Sequence, residues 1–244
     1  MFRLVLSDIK MFKTSFEAIS TIVDEVVCVI DSEGFRVTAM DRSHIVFCNL
    51  DLKPTVFDEF ECNVPDKITI DTDEFMKILK RAKNNDILTL SSDDGNVIIQ
   101  FTGDVEREFK IRLIDIEYES PQPPVLNPPV SVEVPSDLVN ECLKDIVLFS
   151  EKVYFRIDGD YFKAIADGEF GDAEVKYLHG DEVTESVEAC YSVSKLQEMF
   201  KASKFSDMVE IALGNDMPLT LKFKLISDDG EMGFLLAPRL EEVE

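Results

Sequence analysis

Lys77, Lys80 and Arg81 follow one another at i, i+3 and i+4, alongside an apolar row of Phe75, Ile78, Leu79 and Ala82. On a helix that spacing puts the cations on one outer face and the apolar side chains on the other, with Lys83 just beyond. The arrangement returns in the second half of the chain, where Leu196, Met199 and Phe200 point inward and Lys201 and Lys204 outward. Residues 73–83 carry four bases and two acids, and residues 194–204 carry three bases and one acid, a local charge of +2 each time. Rows of ammonium groups suit phosphate oxygens. They supply affinity without reading sequence, and that affinity weakens as salt rises. Two further helical stretches are more mixed: Lys10 and Lys13 share a face with Glu17, and Lys144 is accompanied by Asp137, Glu141 and Asp145.

The elements that must hold these residues are written twice. Residues 30–39 are echoed at 157–166, an offset of 127, and residues 73–90 at 194–211, an offset of 121. A repeat of about half the chain means one supersecondary unit used twice. In each half a short strand (Phe2–Leu6; Ser131–Val134) leads into a helix introduced by Ser7-Asp8 or Ser136-Asp137. Ile9, Phe12, Phe16, Ile19 and Val23 keep helical spacing, as do Leu138, Val139, Cys142, Leu143 and Ile146. Alternating strands follow, then a second helix opened by Asp71-Thr72-Asp73-Glu74 or Ser192-Val193-Ser194. Closing strands turn at Asp93-Asp94-Gly95 and Gly214-Asn215-Asp216, and Ser227-Asp228-Asp229-Gly230 reads as another turn. The expected class is α+β: two similar domains, each with two helices on antiparallel sheet. Half of the ten prolines (Pro121, Pro123, Pro124, Pro128 and Pro129) fall in one extended, semi-rigid strap, which sets the expected division at 1–117, 118–130 and 131–244.

The chain of 244 residues is 45% hydrophobic, enough for a buried core, yet its net charge is −24. Such an excess of acid repels nucleic acid, and only its distribution can overturn that: a local cationic strip acts over a screening length of roughly 10 Å while the remaining surface stays acidic. Five cysteines without a CxxC read as buried, reduced thiols. Neither a signal peptide nor an apolar run of about 18 residues is present, so no membrane partner is expected. Only His44 and His179 are available as imidazoles, and HExxH, GxSxG, GxxxxGK[ST] and GxGxxG are missing. No enzyme, cofactor or metal is expected. The alternative weighed is a carboxylate-bound, metal-dependent nuclease, because acids are abundant.

Met40-Asp41-Arg42-Ser43-His44, Lys77-Ile78-Leu79-Lys80, Gly168-Glu169-Phe170-Gly171 and Leu236-Ala237-Pro238-Arg239-Leu240-Glu241 occur in order at spacings that resemble the proliferating cell nuclear antigen family of DNA sliding clamps, over nearly the whole chain. The length, the short acidic tail (residues 241–244) and Gly159, which stands about where eukaryotic clamps carry a modifiable lysine, resemble archaeal members. The resemblance implies a homotrimeric ring around duplex DNA, bound without sequence specificity, acting in the archaeal cytoplasm beside the nucleoid (the nucleus, were the source eukaryotic). A related clamp built from unlike chains is the alternative assembly. The family closes its ring through edge strands, here Glu108–Asp115 and Asp172–His179, and lines the hole with helices. Lys10, Lys13, Lys77, Lys80, Lys144, Lys201 and Lys204 would then face phosphates. Arg81 and Lys83 would either join them or pair with Glu141 or Asp145 across the subunit contact. The resemblance further implies that DNA polymerase, clamp loader, flap endonuclease and DNA ligase dock by a short peptide. Its pocket would comprise Met40, His44, Phe47, Val125, Leu126, Pro218, Leu235, Ala237 and Pro238, with Val125-Leu126 as a lid.

Overall fold

The computed structural model describes residues 1–93, 95–114, 121–169, 171–181 and 183–240. The first half holds β1 (Phe2–Leu6), α1 (Ile9–Ile19), β2 (Glu25–Asp31), β3 (Gly34–Met40), β4 (Val46–Leu52), β5 (Glu59–Cys62), β6 (Asp66–Asp71), α2 (Thr72–Leu79), β7 (Ile87–Asp93), β8 (Asn96–Thr102) and β9 (Arg107–Arg112). The second half holds β10 (Val130–Pro135), α3 (Ser136–Ile146), β11 (Lys152–Asp158), β12 (Tyr161–Gly168), β13 (Gly171–Leu178), β14 (Val187–Ser192), α4 (Val193–Met199), β15 (Met208–Leu213), β16 (Leu219–Lys224) and β17 (Gly230–Leu236). The strap from 121 to 128 has no regular structure, as its prolines dictate. Among the described residues no helix is long and apolar enough to cross a membrane.

Two compact units form, and they are not simply the two contiguous halves. Met1–Arg42, Cys48–Gln122 and Lys224–Met232 make the first, while Ser43–Phe47, Pro123–Phe223 and Gly233–Glu244 make the second. The domain edge expected at 117 and 118 lies outside the described residues, as do Asp94 of one expected turn, Phe170 of one motif, Asp115 of one expected edge strand and the acidic tail.

In the first unit the strands run in the orders β5-β1-β7-β8-β9 and β4-β3-β2-β6. The α1 and α2 helices pack on them through an aromatic cluster. Phe12 and Phe16 of α1 lie 4.9 Å apart, Phe16 meets Phe75 of α2 at 4.8 Å, and Phe12 meets Phe35 of β3 at 5.5 Å. All four rings are buried, so the helical spacing of the sequence is the spacing of the core face. Asp8 caps α1 by accepting the Met11 N–H at 3.4 Å, and Asp71 caps α2 by accepting that of Glu74 at 2.8 Å. The first helix ends earlier than its apolar pattern does. Ser20 caps it, the Ile22 and Val23 N–H groups both turn back onto the Ile19 carbonyl, and Val23 lies past the end.

In the second unit the orders are β13-β12-β11-β14 and β10-β15-β16-β17. Val139, Cys142, Leu143 and Ile146 of α3 and Leu196 and Met199 of α4 are buried. Leu138, expected on the same face, is only half-buried. Phe200, on the 3-10 turn Phe200–Lys204 that continues α4, stacks edge-on against Phe223 at 5.6 Å. Each helix pair is anchored to its own sheet in the same way: the first N–H of α2 donates to the Asp24 carbonyl and the first N–H of α4 to that of Glu151.

Candidate nucleic-acid and partner interface

The cations of the first unit come from two helices and one loop. Burial of Ile9, Met11, Phe12 and Phe16 leaves Lys10 exposed and Lys13 half-buried on the other side of α1. Burial of Phe75, Met76 and Leu79 leaves Lys77 exposed on α2. Lys80 is the C-cap rather than a helix-interior residue, and Arg81 already stands in the following turn, where its N–H donates to the Ile78 carbonyl at 2.8 Å. Both are exposed. This corrects the expectation of one helix carrying its apolar face to Ala82 and its cations to Arg81: the helix tightens and stops at Leu79.

What stops it is Asp86. Its carboxylate is 3% exposed, pairs with the Arg107 guanidinium, and accepts the Lys83 N–H at 2.6 Å. Arg107 also donates to the Arg81 carbonyl at 2.8 Å. The loop is therefore fixed, and it brings Lys83 beside Lys10 and Lys13 around one groove of about 440 Å³, with Ser7, Asp8, Ile9, Ala82 and Asn84 completing its walls.

In the second unit Lys201 and Lys204 are exposed on the 3-10 turn, while Phe200, Ala202 and Ser203 face inward. Lys144 is exposed on α3, but its ammonium is held by Glu141 at 2.6 Å. Lys77 is likewise held by Glu74 at 2.9 Å, and that hydrogen bond raises its pKa. Among the described residues Lys10, Lys13, Lys80, Arg81, Lys83, Lys201 and Lys204 form no side-chain ion pair. Cations outside any ion pair stay available to an external anion, and Lys80 and Lys83 match Lys201 and Lys204 in the repeat.

The residues expected to take a peptide fall mainly in the second unit. Phe47 is buried, and Leu126, Pro218, Leu235, Ala237 and Pro238 are half-buried. Val125 is 91% exposed, so only Leu126 of the apolar pair touches anything like a floor. His44 sits on the exposed turn between β3 and β4, in neither strand, with φ of 57°. A short polar residue tolerates that left-handed conformation where a β-branched one would not. Met40 ends β3 in the first unit, half-buried. Ile45, which the sequence did not single out, accepts the Ala237 N–H at 2.9 Å and is 41% exposed. The Arg239 N–H donates to the Cys190 carbonyl at 2.7 Å. Among the described residues no three His, Cys, Asp or Glu side chains are grouped as a metal would need.

Family profiles match the sequence along the chain: the N-terminal domain of proliferating cell nuclear antigen over residues 1–121 and its C-terminal domain over residues 129–239. The chain belongs to the proliferating cell nuclear antigen family. Among the relatives of this clamp family, the DNA polymerase sliding clamp of Methanobrevibacter smithii is 54% identical and that of Methanothermobacter thermautotrophicus 52% identical, each over 244 residues and the full length of both chains. A crystal structure of the clamp-family protein from Thermococcus kodakaraensis superposes with a TM-score of 0.91, at 26% identity, over 98% of this chain and all of the other.

Proposed function

We propose that this chain is a DNA polymerase sliding clamp: copies of it close into a ring around duplex DNA and tether the replication enzymes to it. The observation that carries the reading is the recurrence of unpaired cations at matched repeat positions, Lys80 and Lys83 in one unit and Lys201 and Lys204 in the other, within a chain of net charge −24. Lys10 and Lys13 extend the strip, and Lys77 and Lys144 can exchange an exposed carboxylate for a phosphate. The groove shared by Lys83, Lys10 and Lys13 supports giving Lys83 to the DNA face. Arg81 goes with it by position. The division into two clamp domains joined by the proline strap is part of the same reading. Its role is non-enzymatic, and the archaeal origin of the relatives supports a place beside the chromosome in the cytoplasm.

Ring closure needs head-to-tail association of copies. Two edge strands suit it. Strand β9 carries Lys110 and Arg112 against one Glu108, its Arg107 being neutralised by Asp86, and β13 carries Asp172 and Glu174 against one Lys176. Opposite net charge on two open edges favours pairing of unlike edges over like ones. Polymerase, clamp loader, flap endonuclease and ligase would share the apolar site around Phe47, Leu126, Pro218, Leu235, Ala237 and Pro238, rimmed by His44 and Val125.

A ring holds DNA topologically, so it slides while binding weakly. The clamp loaded on a small closed DNA circle outlasts, by orders of magnitude, the same clamp on linear DNA of that sequence. Equal lifetimes would overturn the reading. In solution the mass is about three times 27.7 kDa, whereas a lone monomer would mean that unlike chains complete the ring.

A further inference from the structure

One strand deep in the second unit holds two separated parts of the proposed peptide site. Strand β14 is buried at Ala189, Cys190 and Tyr191. Its Cys190 carbonyl accepts the Arg239 N–H, which fixes Ala237-Pro238 from behind, and the Ala237 N–H is fixed in turn by Ile45. The next residue, Tyr191, is fully buried, packs its ring against Phe155 at 5.9 Å, and donates its hydroxyl to the Met217 carbonyl at 2.8 Å. Met217 immediately precedes Pro218.

The loop that carries Pro218 is held by few hydrogen bonds among the described residues. It turns through Asp216 at φ of 53° and closes with a Met217 N–H to Gly214 carbonyl bond of 3.2 Å. A further tie also goes to β14: Asn215 Oδ1 accepts the Glu188 N–H at 2.8 Å. The loop packs tightly on the foot of the strap, since a Cβ at Gly214 would lie 2.6 Å from Met217 Sδ and 2.8 Å from Pro129 Cδ. A phenol inside an apolar core would otherwise favour a phenylalanine, because a buried hydroxyl is tolerated only when bonded.

We propose that Tyr191 is a positioning residue for partner binding: through the Met217 carbonyl it sets the lip at Pro218, while the neighbouring Cys190 carbonyl sets the opposite lip at Ala237-Pro238. Neither group touches the peptide. Both act through the residues that do, and the proposal rests on the peptide-site reading given above.

The test uses the full chain and a fluorescein-labelled clamp-binding peptide from a replicative polymerase. Tyr191→Phe removes one oxygen and keeps the packing. Peptide affinity then falls about threefold to tenfold, the range of one net hydrogen bond, while assembly mass and retention on a closed DNA circle stay unchanged. Asn215→Ala, on the exposed loop, weakens the peptide in the same direction, and Asn215→Asp, which keeps the acceptor, restores it. A purely structural tyrosine would lower the unfolding temperature and leave peptide affinity alone, and that result overturns the proposal. Should Tyr191→Phe fail to assemble, unchanged affinity in Asn215→Ala overturns it equally. If the unaltered chain binds no peptide, the site reading itself falls and this inference with it; wild-type binding matched by both variants removes the inference alone.

Discussion

Lys163 donates to the Asp158 carboxylate at 2.9 Å across the β11–β12 hairpin, and Arg36 donates to Asp31 at the equivalent place in β2–β3, one repeat earlier. The duplication thus preserved an ion pair as well as a core. It pulls both carboxyls down: Asp31 mainly through the Arg36 hydrogen bond, against some burial, and Asp158 mainly through the Lys163 hydrogen bond and then its charge. A carboxylate whose folded pKa lies below its unfolded one stabilises the fold fully above the unfolded value, near about 4, and loses that contribution as pH falls through the folded value. Asp31→Asn is expected to cost under about 1 kcal/mol at neutral pH, after discount for solvent screening. The gap from wild type narrows between neutral pH and an acid pH below the unfolded value, since the Arg36 hydrogen bond holds the folded Asp31 carboxyl below it. Urea unfolding at the two pH values measures it, and a gap that is the same at both would refute the assignment.

Asp86 is the second structural charge. It is 3% exposed, neutralises Arg107 and receives the Lys83 N–H. Asp86→Ala leaves a guanidinium without its partner and frees the loop, at a cost of about 3 kcal/mol. Gly103 makes a companion test, because a Cβ there would run into the Asp86 carboxylate. Both variants are expected to unfold earlier in denaturant and to exchange the Lys83 amide faster. Wild-type protection at that amide in Asp86→Ala would show that the helix stops for another reason.

Thiol chemistry separates one cysteine from the rest. Cys28, Cys48, Cys142 and Cys190 are buried, and Cys62 is half-buried. Burial pushes the Cys48 thiol up to about 12 and that of Cys142 to about 11. Cys62 is raised too, first by burial, and its Sγ donates to the Val64 carbonyl at 3.2 Å. Thiolate is the reactive form, so an aromatic disulfide reagent at neutral pH should label the native chain slowly and at Cys62 alone, and all five sites in denaturant. Fast labelling of Cys142 would contradict the packing under α3.

Much of this was readable from residue order. The spacing of Phe12, Phe16 and Phe75 named a core face because helical period survives whatever the tertiary context. Other features depend on partners remote in the chain. The apolar row of α2 runs to Ala82, yet the helix ends at Leu79 because Asp86 takes the Lys83 N–H. His44 stands just before the apolar run of β4, and its left-handed backbone angle, which sets the turn, has no counterpart in the residue pattern. Tyr191 reads as ordinary core by alternation, and its hydroxyl partner, Met217, lies 26 residues away. Periodicity reports which way a side chain faces, never which distant carbonyl it meets.

The repeated cations make the most direct demand. Lys80 and Lys201 occupy equivalent repeat positions, are exposed, and among the described residues hold no counter-ion. If they meet phosphates, Lys80→Glu combined with Lys201→Glu replaces attraction by repulsion at both sites in every copy of the ring. Each phosphate that is no longer neutralised should lower the slope of log affinity against log salt by about 0.9. Loading onto a nicked DNA circle is then expected to fall by more than about tenfold at low salt, with the difference from wild type shrinking as salt rises. Peptide affinity should not move, because neither lysine lies close in sequence to Pro218 or Ala237, and an unchanged assembly mass separates a DNA role from a subunit contact. Unchanged loading would mean that this face does not line the channel. Weaker loading accompanied by a drop to monomer mass would assign the lysines to the interface between subunits instead.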